Sequence, residues 1–215
     1  MYKLQHNELA VNKLACSRDD RLLFSGLSFS LQSGEMLLLE GSNGSGKTSL
    51  LRILCGFREA DAGEITWNNQ AHADSHFFED MAYIGHADGV KKELTVLENL
   101  RFALALSKPG QYSIDQALAK VQLAGFDDNA VQTLSAGQKR RLSLARLLVT
   151  HNILWILDEP FTSLDKQGIE LIETLMLTHV TQGGMVILTS HHDLSLSTRV
   201  LKRIHLDTFQ VDTWQ

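Results

Sequence analysis

No stretch of this 215-residue chain approaches the roughly 18 to 20 consecutive apolar residues that span a bilayer, so no membrane-crossing helix is expected. The first residues, Met1-Tyr2-Lys3-Leu4-Gln5-His6-Asn7-Glu8, lack a secretory apolar stretch and point to a chain that stays in the cytosol. Positive charge is scarce as well: 20 Lys and Arg stand against 25 Asp and Glu, for a formal charge of -5. That balance gives no broad basic footprint, so nucleic acid is not expected as a partner. Only two cysteines occur, Cys16 and Cys55, without CxxC or CxxCH spacing. They support neither a disulfide framework nor thioether attachment of a cofactor, and read as buried thiols. Repeats, low-complexity tracts and long linkers are missing too.

Hydrophobic residues make up 44% of the chain, ample for one packed core. Apolar runs rich in strand formers lie around Met36 to Glu40, Met81 to Gly85, Ile153 to Leu157 and Met185 to Thr189, with helical patterns between them. This alternation predicts an α/β fold with a mostly parallel sheet. Continuous runs such as Ile153-Leu154-Trp155-Ile156-Leu157 fit strands covered on both faces. From Leu9 to Leu31, alternation through Leu22, Phe24, Leu27, Phe29 and Leu31 predicts attached antiparallel strands. Strand signals vanish from Leu94 to about Leu148, where the helical spacing of Leu97, Leu100 and Leu104 predicts an inserted helical subdomain. Lys108-Pro109-Gly110 breaks its first helix, and Ser113 can cap the next. The stretch from Lys202 to Thr213 reads as short strands and turns.

The octapeptide Gly41-Ser42-Asn43-Gly44-Ser45-Gly46-Lys47-Thr48, continued by Ser49, follows the strand at Met36 and opens a helical run to Leu54. That is the context a phosphate-binding P-loop requires. Its glycines let successive N–H groups and the helix start face anionic oxygens, and Lys47 adds a point charge toward the β- and γ-phosphates of ATP. Thr48 offers a hydroxyl to a magnesium ion bridging those phosphates. Asp158 ends an apolar strand, which puts a carboxylate at the sheet's carboxyl edge, and it is the second candidate Mg2+ residue. Glu159 follows and can polarise a water attacking the γ-phosphorus, while a helix-start acidic pair is the plainer reading of the same dipeptide. His191, in Thr189-Ser190-His191-His192-Asp193, follows another apolar strand and can reach the same edge; His192 and the other histidines read as surface or packing residues.

Leu134-Ser135-Ala136-Gly137-Gln138 opens a further helix, which Ser135 can cap. Together with the P-loop, Ile153 to Pro160, Ser163-Leu164-Asp165 and His191, this pentapeptide resembles the signature element of the ABC ATPases, with the others as Walker A, Walker B, D-loop and switch histidine. The resemblance implies a P-loop NTPase (RecA-like) core over 1–86 and 151–215 with an antiparallel β subdomain, and a helical signature subdomain over 87–150. It also implies a head-to-tail pair of cassettes, in which Ser135, Ala136, Gly137 and Gln138 meet the γ-phosphate held by the partner's loop. Such a pair closes on ATP and reopens after hydrolysis, which is how a population-shift motor works.

Segments Arg21 to Phe29, Tyr83 to His86, Leu94 to Leu100 and Leu154 to Thr162 are similar to those of the ATP-binding subunits of cytochrome c maturation. This finer resemblance implies a haem-export ATPase on the cytoplasmic face of a bacterial inner membrane, with integral membrane partners and an indirect link to a periplasmic haem chaperone. His86 stands where most cassettes place a coupling glutamine. Arg18 stands where an aromatic usually stacks on adenine; it reads equally as a stacking guanidinium and as an exposed turn residue beside Asp19 and Asp20. By analogy, the partner groove falls around Ala87 to Leu100. The nine histidines show no pair spaced for axial ligation, so direct haem binding is not expected.

Other readings keep the cassette but change its cargo to a lipid or peptide, or make the chain a soluble cassette in repair or translation. The repair type needs a long coiled-coil insertion between His86 and Leu134, which is missing. Small-molecule P-loop kinases lack the signature pentapeptide.

Overall fold

The computed structural model describes residues 6–190 and 200–210. β1 (Glu8–Arg18) and β2 (Arg21–Gln32) form an antiparallel hairpin whose tip, Asp19 and Asp20, takes positive φ values. β3 (Met36–Glu40) leads into α1 (Lys47–Leu54), then β4 (Ala62–Trp67) and the short β5 (Gln70–Ala71) return to the hairpin. The short α2 (Phe77–Asp80) precedes β6 (Met81–Ile84). Three helices follow: α3 (Val96–Leu106), α4 (Ile114–Lys120) and α5 (Ala136–Val149). β7 (Leu154–Asp158), α6 (Lys166–Thr181), β8 (Met185–Thr189) and β9 (Leu201–His205) complete the chain.

Two sheets result. One is antiparallel in the order β2-β1-β4-β5; the other runs β6-β7-β8-β3-β9 with every pairing parallel. The apolar strands of the parallel sheet divide their residues between two cores, as the pleat requires. Met36, Leu38, Trp155, Leu157, Val186 and Leu188 face α3 to α6 on one side. Leu37, Leu39, Leu154, Ile156, Met185 and Ile187 face α1 and the antiparallel sheet on the other. Each such side chain contributes about 1.5–3 kcal/mol on burial. A parallel sheet aligns its carboxyl ends, so the ends of β3, β6, β7 and β8 lie along one edge.

The helical insertion forms where strand signals stop. Thr95, Ser113 and Ser135 cap α3, α4 and α5, each in a capping box closed by Glu98, Gln116 and Gln138. α3 ends at Leu106, just before the Lys108-Pro109-Gly110 break. Buried Asn99 ties the preceding loop down, accepting from Lys91 N (2.8 Å) and donating to Lys91 O and Thr95 O (3.0 and 2.8 Å). Cys16 and Cys55 are buried free thiols; burial, then the charge of Asp158, pushes Cys55 up to about 12.

Near the end of α6, the His179 ring stacks on Trp155 at 3.9 Å and 7°, and its Nε2 hydrogen-bonds Ile153 O at 3.0 Å. Burial pulls its pKa from 6.5 down to about 4, so the folded chain keeps it neutral. The unfolded chain protonates first on acidification. The stabilisation from this histidine is thus complete above pH 6.5 and is lost as the pH falls from there toward about 4. That window corresponds to about 3 kcal/mol. Denaturant midpoints measured from pH 7 to pH 4 are expected to fall more steeply for the wild-type chain than for His179→Gln, which cannot take up this proton.

Candidate active site

The P-loop joins β3 to α1 and rests on the antiparallel hairpin. Gly41 has φ +146°, and a Cβ there would lie 2.6 Å from the buried Ser45 hydroxyl. Gly46 caps α1 at φ +104°, and its Cβ would lie 3.1 Å from Leu23 Cβ and Phe24 Cδ1 of β2. Both positions therefore need glycine for backbone shape and for space. Ser42, Asn43 and Gly44 are exposed at the rim, and Lys47 Nζ donates to Gly41 O (2.7 Å) and Ser42 O (3.1 Å). The loop is also held from the side. Asp207, just after β9, accepts from Ser42 N (2.8 Å) and Ser42 Oγ (2.7 Å), and these bonds hold its carboxyl below the usual range.

The carboxylates stand beside this loop. Asp158 is 3% exposed, and its Oδ2 accepts from Thr48 Oγ1 at 3.1 Å. Two hard oxygen donors so close together, on a P-loop and a strand end, fit Mg2+. Asp158 Oδ1 accepts from Thr189 Oγ1 (2.8 Å), and that same hydroxyl accepts from Glu159 N (2.9 Å). Glu159 has φ +51°, a left-handed conformation that costs a non-glycine residue about 1 kcal/mol or more. Its amide is fixed by Thr189 and its carbonyl by Arg140 Nη2 at 2.8 Å, so the turn is held at both ends.

A cleft of about 730 Å³ gathers Lys47, Thr48, Ser49, Asp158, Glu159 and His86, with Arg18 at its rim. Arg18 is exposed and pairs with Asp19 at 3.4 Å, so the turn and cleft positions coincide. His191 lies outside the described residues. A phosphate-binding loop, a metal-binding oxygen pair and an adjoining carboxylate can together support transfer of a phosphoryl group to water.

Ser135, Ala136, Gly137 and Gln138 are not among the residues lining this cleft. Ser135 Oγ caps the 14-residue α5 by accepting from Gln138 N (3.2 Å), and Gln138 Oε1 accepts from Ser135 N (2.8 Å). Ser135 and Ala136 are exposed, and Gly137 packs toward Ser163 O, which a Cβ would approach to 3.1 Å. Asp165 caps α6 through Gly168 N (2.8 Å) and pairs with Arg141 Nη2 (3.3 Å). The structure thus gathers the P-loop, Asp158, Glu159 and His86, and leaves the signature and Asp165 facing elsewhere. Three residues that hold the site, Arg140, Thr189 and Asp207, escape sequence reasoning. Thr189 carried the only signal, as the last residue of an apolar strand before His191.

Gly46→Ala is expected to abolish ATP binding while lowering stability by about 1–3 kcal/mol, because the loop must leave its left-handed turn. Equilibrium nucleotide titration together with chemical denaturation checks both effects; tight binding by the variant would reject this account of the loop.

The ABC transporter family model matches residues 24–162. The chain is 46% identical over 213 residues to the cytochrome c biogenesis ATP-binding export protein CcmA of Photobacterium profundum, covering 92% of this chain and 99% of that one. It is 48% identical over 203 residues to the CcmA protein of Vibrio cholerae serotype O1, covering 92% and 98%. Among solved structures, a putative ABC transporter ATP-binding protein from Pyrococcus furiosus superposes with a TM-score of 0.83 over 95% of this chain and 100% of that one. Its 21% identity speaks for the fold alone. The chain belongs to the ABC transporter ATP-binding subunits, in their cytochrome c biogenesis group.

Proposed function

We propose that this chain is the ATP-hydrolysing subunit of a membrane complex for haem export and cytochrome c maturation, and that two copies work as a pair. Near-full-length similarity to relatives named cytochrome c biogenesis ATP-binding export proteins carries the assignment. The separation of Ser135 from the chain's own cleft supports the pairing, since α5 opens on the exposed Ser135 and Ala136.

In this reading the P-loop amides and Lys47 hold the β- and γ-phosphates, and Arg18 stacks beside the base. Thr48 and Asp158 hold Mg2+, which supplies charge neutralisation at the phosphates. Glu159 accepts a proton from water as the water oxygen bonds to the γ-phosphorus, and the bond from that phosphorus to the β-bridging oxygen breaks to give ADP and phosphate. His191 is assigned to the γ-phosphate and the attacking water. His86 and Asp165 link hydrolysis to the membrane partner and to the second copy. The partner copy's Ser135, Ala136, Gly137 and Gln138 complete the phosphate shell, so ATP favours the closed pair by contacts that ADP cannot make.

None of the described helices is long and apolar enough to cross a membrane. Attachment to the cytoplasmic face of a bacterial inner membrane therefore runs through integral subunits in this reading. The surface assigned to them is a groove of about 230 Å³ between the outer strand β6 and α3, lined by Met81, Tyr83, Phe102 and Leu106. Phe102 and Leu106 are 46% and 72% exposed. This surface, which Ser143, Arg146, Thr150 and Asn152 also line, flanks the Ala87 to Leu100 stretch expected from sequence, where Val96 and Leu100 are buried in the core and Asn99 is spent on the loop. Coupling then passes to a periplasmic haem chaperone through those subunits.

Glu159→Gln is expected to leave ATP affinity within about threefold of wild type and to lower turnover by about a hundredfold or more. Measured with the membrane subunits present, release of haem-loaded chaperone should stop in the same variant. Turnover near the wild-type rate would remove Glu159 as the base, and unchanged chaperone release would reject the coupling.

A further inference from the structure

Arg140 lies in the second turn of α5, after the Ser135 cap, and is 3% exposed. A guanidinium has five N–H donors. Here its Nε donates to Pro160 O (3.1 Å), Nη1 to Gly85 O (3.0 Å) and Asp88 Oδ1 (3.5 Å), and Nη2 to Asp158 O (3.0 Å) and Glu159 O (2.8 Å). One side chain thus grips three successive carbonyls, from the last residue of β7 through Pro160, and the carbonyl just before His86. Burial works against the charge and Asp88 works for it, so the cation is retained by the geometry of its acceptors.

We infer that Arg140 is a positioning residue: it holds Glu159 in its left-handed turn and ties that turn to the helix start that this chain offers to a second copy. The inference rests on the paired-ATPase reading above. Glu159 cannot drift to an extended conformation without breaking the bond from Arg140 to its carbonyl, together with the bond from its amide to Thr189. On the other side, Arg140 lies five residues along α5 from its Ser135 cap, roughly 7.5 Å along the axis at 1.5 Å per residue. Neighbouring contacts stiffen the same joint. Arg141 pairs with Asp165, and Gly137 lies against Ser163, itself at φ +67°. A phosphate bound at Ser135 in the partner's cleft therefore biases the position of this chain's own Glu159. Lysine cannot replace the arginine, because it offers a single nitrogen where the site needs a planar fork.

The test uses the full-length chain with Arg140→Lys and Arg140→Met, reading ATP affinity, kcat, the Hill coefficient for ATP and thermal stability. Expected is an ATP Kd within about twofold of wild type, a kcat at least about tenfold lower, and a Hill coefficient that falls toward one. A lower melting temperature with unchanged kcat per folded molecule and unchanged Hill coefficient overturns the proposal, since Arg140 would then serve packing alone. If Arg140→Met does not fold, Arg140→Lys decides by itself, as it keeps the charge and most of the stem. A wild-type Hill coefficient near one counts against pairing instead, and the positioning of Glu159 is then judged on kcat alone.

Discussion

The P-loop, His86, Asp158 and Glu159 reach one cleft because five strands run in the same direction. The P-loop leaves β3, His86 follows β6, Asp158 and Glu159 close β7, and Thr189 ends β8. With β8 lying between β3 and β7, Thr189 is level with Asp158 in one register and with Leu39 in the other. A shift of one residue in the β7–β8 pairing would turn alternate side chains to the opposite face and separate the Thr189 hydroxyl from Asp158. The register is secured by the two apolar cores, which receive alternate residues of each central strand. Hydrophobic burial far from any reacting atom thus sets the distances on which the chemistry depends.

At the edge of that sheet the energetics change character. Arg140 and Asp158 are both nearly fully buried, and desolvating such ions costs several kcal/mol each before their partners respond. The compensation is geometric. Arg140 meets backbone carbonyls, whose dipoles cannot leave, and Asp158 meets two hydroxyls from different elements. Removing one partner would strand polar groups where water does not reach them readily. The rim is built differently, since Ser42, Asp207 and Arg18 are exposed and their bonds compete with solvent.

Much of this site was legible in sequence because its parts are local. The P-loop turns within a single octapeptide, and its glycines can be read as backbone instructions without knowledge of the rest of the chain. The ends of β3, β7 and β8 were legible for a related reason: short, continuous apolar runs stop abruptly at a polar residue. Arg140 was not, because it shares a charged stretch with Lys139 and Arg141, and only the position of α5 beside the turn that ends β7 shows which of the three is buried there. Asp207 was hidden for the same reason, as its partner Ser42 is remote in sequence and meets it only once β9 pairs with β3.

The cap on α5 carries a further consequence. Ser135 Oγ accepts the Gln138 amide, and an oxygen that accepts there still has its own proton to give. Helix initiation therefore uses one pole of this hydroxyl and leaves the other to donate. An aspartate at this position would cap the helix equally well, yet it would present negative charge where a neutral donor now stands. A side chain at this position therefore answers to electrostatic sign as well as to helix formation.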